Sequence, residues 1–169
     1  MFTIKTIVKL IILMLPLEIF ASLVQITSDT LEIQTVGSLV HMHFSHNAYI
    51  DGDKFSLKGD RIQVIIASGS PQIPNLSAVR EIHAMKNAAF EWESYDGKAD
   101  QISIYPAKNF ILLEGNAEIR DEGSGTIFGQ TLTLDLKHKK IRSVESEFKR
   151  SIMSINDISK CEPNNMLIK

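Results

Sequence analysis

Three groups of side chains in this sequence have types and spacings that could do chemistry. His41, His43 and His46 form an H-x-H-x-x-H run, which brings imidazoles together as metal ligands do. In an extended chain His41 and His43 share one face while His46 falls on the other, and neither a carboxylate nor a cysteine completes a set, so no metal site is expected. Glu91, Glu93, Asp96 and Asp100 supply the carboxylates that paired acid–base hydrolysis needs. Glu91 and Glu93, however, alternate with Phe90 and Trp92, as the wet face of a strand does. Lys137, His138, Lys139 and Lys140 concentrate positive charge where phosphates could dock, and a charged hairpin turn accounts for them equally well. The sequence offers no Ser-His-Asp arrangement, no Gly-rich phosphate loop and no nucleophile elbow. It is read as a non-enzyme with no cofactor.

The elements that would hold these side chains repeat. Residues 110–136, FILLEGNAEIRDEGSGTIFGQTLTLDL, read as a strand ending in Gly115-Asn116-Ala117, a second strand, a turn at Gly123-Ser124-Gly125 and a third strand. Apolar and polar residues alternate with period 2, which puts one face in a core and the other in water. Asn-Ala recurs at Asn47-Ala48, Asn87-Ala88 and Asn116-Ala117, each followed on the same face by Ile50, Phe90 or Ile119. Downstream of each comes a small residue, then Asp or Gln, then a fixed alternation: Gly59-Asp60, Ala99-Asp100 and Gly129-Gln130, with a further copy at Ser28-Asp29. Self-similarity at roughly thirty to forty residues is a repeat signature. The Asn residues and Asp29, Asp60 and Asp100 are expected at turns and strand ends, where such side chains bond nearby backbone.

The chain of 169 residues is long enough to bury one sizeable core. Its net charge of −2, with no basic run interleaved with aromatics, argues against nucleic acid as a partner. Cys161 is the single cysteine, so no intrachain disulfide forms. Residues 1–21 read as a signal peptide: Lys5 and Lys9, an apolar run from Leu10 to Leu15, Pro16, then Ile19-Phe20-Ala21 as a cleavage site. A retained membrane anchor is the alternative. Residues 22–150 form the folded domain and 151–169 a poorly ordered tail.

Strands are expected at 26–33, 39–50, 55–66 with a bend at Gly59, 79–92, 99–105, in the three pieces within 110–136, and at 141–148. Asp51-Gly52-Asp53, Tyr95-Asp96-Gly97-Lys98 and residues 106–109 read as turns, and 68–75 as a longer loop. No sustained helical period is present. The fold class is all-β: an antiparallel roll or jellyroll of repeated strand-hairpin units. By parity the inward residues are Leu31, Ile33, Met42, Phe44, Ala48, Ile50, Ile62, Val64, Ile82, Phe90, Ile102, Ile104, Leu113, Ile119, Leu132 and Leu134.

The segments LKGDRIQVII, DGKADQISIYPAKNFILLEGNAEIRD and GTIFGQTLTLDLKHKKIRSV resemble the lipopolysaccharide transport periplasmic protein family (LptA, the OstA-like domain) over about residues 26–148. Gln130 departs from the family's usual Asp. The resemblance implies a β-jellyroll open along one side, whose interior, lined by the sixteen inward residues, takes the acyl chains of lipopolysaccharide. It implies copies stacked head to tail between an LptC-like inner-membrane protein and an LptD-like outer-membrane translocon, in the periplasm. Each methylene withdrawn from water is worth about 0.8 kcal/mol, so acyl chains need such shelter. Two alternatives stand beside the bridge: the membrane-anchored member of the same system, and an edge-assembling structural protein that carries no lipid.

Overall fold

The computed structural model describes residues 2–12, 24–67, 79–144 and 152–154, the first and last of these as backbone only. Ten strands follow in order: β1 (Phe2–Ile12), β2 (Val24–Val36), β3 (Leu39–Gly52), β4 (Phe55–Ala67), β5 (Val79–Trp92), β6 (Tyr95–Tyr105), β7 (Phe110–Asp121), β8 (Gly125–Asp135), β9 (Lys140–Ser143) and β10 (Ile152–Ser154). Each strand from β1 to β8 pairs antiparallel with the next, and both β9 and β10 pair with β8. The result is one open sheet. One 3₁₀ turn, Pro106–Lys108, is the helical element among the described residues.

A sheet with one apolar face and no second layer must cover that face with itself. The strands do so by bending at a common corner. Phe44 of β3 lies opposite Leu31 and Ile62, and Ile50 opposite Ile26 and Leu57. Between those points β3 spends six residues while each neighbour spends five, so β3 carries one extra residue, a bulge. In β5 the same happens between Ala84 and Phe90, and in β7 between Leu113 and Ile119. The extra residue is absorbed by two successive left-handed residues: His46-Asn47, Lys86-Asn87 and Gly115-Asn116. Gly and Asn reach that region most readily. The alternate strands bend by slipping parity, as where β4 buries Phe55, Leu57 and Gly59, then Ile62, Val64 and Ile66.

Each corner is clipped from outside. The side-chain amide of Asn47 donates to Asp29 at 3.1 Å, that of Asn87 to Asp60 at 3.3 Å, and that of Asn116 to Asp100 at 3.0 Å. The repeated Asn and Asp of the sequence are thus partners across neighbouring strands. Gln130 occupies the corresponding place in β8, next to which β9 stops at Ser143, opposite Leu132 and short of the corner. Bending brings the two halves of the sheet face to face. A Cβ added to Gly97 would fall 3.1 Å from Leu113 Cδ2, which lies beyond the corner, as well as against the ring of Phe90.

Several sequence expectations change. Residues 110–121 form one bent strand, because Gly115-Asn116 makes a corner and no strand end. Tyr95–Lys98 is no turn: β6 begins at Tyr95 and the reversal falls at Glu93-Ser94. Gly97 is needed inside the strand because the Phe90 ring occupies the space a side chain would take. β3 runs through Gly52, and its turn is Asp53-Lys54. Ile33 keeps the expected parity but is 42% exposed, near the end of β2 where residues 33–36 are all exposed and no described residue opposite covers them. Within the segment read as a signal peptide, residues 2–12 lie along β2 as β1, and 13–23 fall outside the described residues. Outside them too are the 68–75 loop, residues 145–148 of the expected last strand and most of the tail.

Replacing Asn116 with Ala removes the clip to Asp100 and puts a Cβ-bearing residue with no local bonding in a left-handed site. We expect a loss of about 1–2 kcal/mol in urea unfolding, with Asn116→Gly losing only the smaller, hydrogen-bond share. Equal losses for the two would show that backbone conformation is not what the corner needs.

Candidate functional site

Among the described residues, the inward face has the most consistent chemistry. Of the sixteen residues expected there, all but Ile33 are buried. Phe44, Ile62, Ile102, Ile104, Leu113, Ile119, Leu132 and Leu134 have essentially no contact with water. The same alternation places Ala84, Ala88 and Trp92 on the face of Ile82 and Phe90, and Ile111 on that of Leu113, and these residues join the cluster together with Leu57. Among the described residues the buried polar side chains are Ser28, Ser103 and Thr126, and none is charged. The interior runs from β2 to β8 as one apolar body.

Exposed large hydrophobics lie toward both ends of the sheet. Ile33 and Val36 stand exposed near the end of β2, and Phe128 and Val144 near the β8 end. Exposed large hydrophobics grouped at sheet ends mark surfaces that meet something else.

The free ends of the strands meet along a seam, since bending at mid-strand brings opposite ends together. The turn joining β8 to β9 crosses to the turn joining β5 to β6. Lys139 Nζ lies 2.5 Å from Glu93 Oε2 and 5.8 Å from the centre of the Trp92 ring, and the Tyr95 hydroxyl donates to the Lys139 carbonyl at 3.3 Å. Hydrogen bonding to Glu93, then its charge, holds the Lys139 ammonium above its ordinary pKa range. Lys137, His138, Lys139 and Lys140 therefore do not act as one cluster. His138 turns back to Asp135 at 2.8 Å, which lowers the Asp135 carboxyl, while Lys139 faces the seam.

The other chemical candidates resolve into structural pairs. Asp96 binds Arg120 at 2.6 Å, Asp100 clips Asn116, Glu93 holds Lys139, and Glu91 points into water. No two of them are arranged as an acid and a base on one substrate. His41 and His43 stack at 6.4 Å on the outward face, with Gln63 Nε2 3.0 Å from His41 Nδ1. Burial, then the neighbouring His41, lowers the pKa of His43, which biases that ring toward its neutral form. His46 sits apart in the β3 corner. Among the described residues no three His, Cys, Asp or Glu side chains are grouped to hold a metal ion.

One constellation has no signature in the sequence. On the outward face of β5 and β6, Ser103 Oγ lies 2.9 Å from His83 Nδ1, and His83 Nε2 lies 2.9 Å from Glu81 Oε2. With Glu81 ionised, Nε2 carries its hydrogen toward the carboxylate and the Ser103 hydroxyl donates to Nδ1. This is the polarity of a nucleophile, base and orienting acid. Two features deny it that role. Ser103 is 1% exposed, so nothing can reach Oγ. It also sits in mid-strand between His83 and Leu112, where neighbouring N–H groups serve the ladder and do not converge on an oxyanion. The chain satisfies polar groups under the side chains of the outward face.

Comparison with known proteins follows the same line. The model of the family described as "LptA/(LptD N-terminal domain) LPS transport protein" matches residues 25–140, more than half of the chain. No curated protein matches. Among solved structures, the chain is similar to the crystal structure of LptH, the LptA-homologous periplasmic component of the lipopolysaccharide transport device of Pseudomonas aeruginosa. The TM-score is 0.62 at 14% identity, covering 79% of this chain and 95% of that one. At that identity the likeness shows a shared fold.

Replacing Ser103 with Ala should cost about 1 kcal/mol in urea unfolding by stranding His83 Nδ1. Neither the variant nor the parent should hydrolyse a p-nitrophenyl ester faster than buffer. Hydrolysis by the parent that disappears with Ser103→Ala would contradict the structural assignment.

Proposed function

The chain belongs to the LptA/(LptD N-terminal domain) LPS transport protein family, and from that premise we propose that it is a periplasmic bridge, carrying lipopolysaccharide from the inner to the outer membrane inside its folded sheet. The observation that carries this reading is the unbroken apolar interior from β2 to β8, free of buried charge. Hydrocarbon chains entering it exchange contacts among Ile, Leu and Phe for contacts of the same kind. The exchange is close to neutral, whereas the same chains in water would cost about 0.8 kcal/mol for every methylene. Such a lining shelters without gripping, which lets a lipid slide. Sugars and phosphates stay in water outside the roll. In this reading the work that drives transport comes from elsewhere in the system.

The exposed hydrophobics toward both ends of the sheet support head-to-tail stacking with further copies, or with LptC-like and LptD-like partners of related fold. Residues 1–21 act as the signal peptide in this reading. β1 lies within that segment, so its removal on export leaves the β2 edge open for a strand from another chain.

Photo-crosslinking in cells tests the proposal. A reactive residue at Phe44 or Ile119 should yield lipopolysaccharide adducts, and one at Glu118, on the outward parity, should not. At Val36 or Val144 the adducts should instead be to protein. Abundant, folded protein without lipid adducts at either inward site would overturn the conduit and leave an edge-assembling scaffold.

A further inference from the structure

The seam contact around Lys139 adjoins a cleft of about 230 Å³. Tyr95, Asp121 and Ile127 line one bank, from strand ends on one side of the roll, and Lys139, Lys140 and Ile141 line the other. Tyr95 is part of the core, and Ile127 and Ile141 pack against it. The cleft therefore has an apolar floor that is the rim of the interior and a charged lip. Above it the β8–β9 turn reaches across the seam like a strap, fastened by Lys139 to Glu93, by the Tyr95 hydroxyl to the Lys139 carbonyl, and over the face of Trp92. Trp92 in turn stacks on Tyr95 at 5.6 Å. The strap is held to the opposite bank by an exposed ion pair and one hydrogen bond from the buried Tyr95, and the ion pair is a weaker class of attachment than the packing beneath it.

We propose that this cleft is the port through which an acylated, phosphorylated glycolipid enters the roll, its phosphate taking Lys139 from Glu93. The proposal rests on the conduit reading and adds where the lipid enters and what opens the way. A phosphomonoester carries about −1.5 to −2 charge at pH 7, against −1 for Glu93, so it outcompetes the carboxylate for the ammonium. Lys140 stands on the same bank as a second cation. Asp121 on the other bank opposes an anion, which places the phosphate on the lysine side. Lys139 is paired both when the strap is closed and when it is open, and the exposed Glu93 carboxylate it leaves is taken up by water. As Lys139 leaves, the Trp92 ring is uncovered and offers the first methylenes an apolar surface beside the floor. A phosphate without acyl chains gains the charge contact alone.

Trp92 is the only tryptophan, which makes its fluorescence a reporter of the strap. Purified protein is titrated with micelles containing bisphosphorylated lipid A, with the same micelles containing dephosphorylated lipid A, and with inorganic phosphate. The phosphorylated lipid should change Trp92 emission at about tenfold lower concentration than the dephosphorylated one, and Lys139→Met should erase that preference. Glu93→Gln should take up lipid faster than the parent. In a Cys161→Ser background, Glu93→Cys with Lys139→Cys joined by a cleavable bis-maleimide should exclude lipid from a photo-reactive residue at Ile119. Reductive cleavage of the linker should restore labelling. Inorganic phosphate acting on Trp92 as the lipid does would make this a free-phosphate site and overturn the port. Labelling at Ile119 with the strap tied would overturn the port and leave the conduit standing. No labelling of any form, parent included, would sink both.

Discussion

A single sheet whose apolar face has no second layer to pack against can be stable only by folding onto itself, and everything else in this molecule follows from how it does so. The period-2 alternation that buries one face of a strand would keep the sheet flat. The corner breaks it in two complementary ways. In β3, β5 and β7 a pair of left-handed residues takes up an extra position, and in β4, β6 and β8 the inward parity slips by one. Because the extra residue always sits in alternate strands, the corners align and the whole sheet bends along one line. The Asn–Asp clips hold that line from the wet side, where their polar groups cost nothing in desolvation.

Bending at mid-strand has a consequence for function. It creates an interior that is open in principle at the two sheet ends and along the seam of strand ends, and it leaves the halves joined covalently only through the corner. Opening such a body needs no strand pairing to break. The ladders run across the bend and survive it, and only packing between halves and the fastenings at the seam have to yield. Of the exposed apolar residues near the ends, Ile33 keeps the inward parity, whereas Phe128 lies opposite the outward Glu118 and Val144 opposite Thr131. Transport by sliding, without chemistry, is what such an architecture does well.

Much of this was legible in the residues. The period, the all-β class, fifteen of the inward positions and the repeated Asn-Ala and Asp units could all be read directly, because each is a local pattern. What the repeats do was not legible. Asn116 and Asp100 are partners only because β6 and β7 lie side by side, and the glycine of Gly115-Asn116 looks like a strand end until its neighbour is known to continue. The misplaced turn at Tyr95–Lys98 shows how one local error spreads. It shifts the β5–β6 register, and with that register wrong, His83 cannot be seen to face Ser103. Glu93 and Lys139 come together through the bend itself, over a separation no periodicity reports. Ile33 has the right parity and the wrong burial, because parity says nothing about where a core runs out.

The central claim is that acyl chains travel within the folded sheet, and intermolecular nuclear Overhauser effects from the acyl chains of bound lipid A to the methyl groups of the protein test it most directly. Contacts to Ile102, Leu113, Ile119 and Leu132, with none to the outward Leu112, are what the account predicts. Contacts confined to Ile33, Val36 and Val144 would contradict it, placing the lipid on the sheet ends and leaving the interior as plain core.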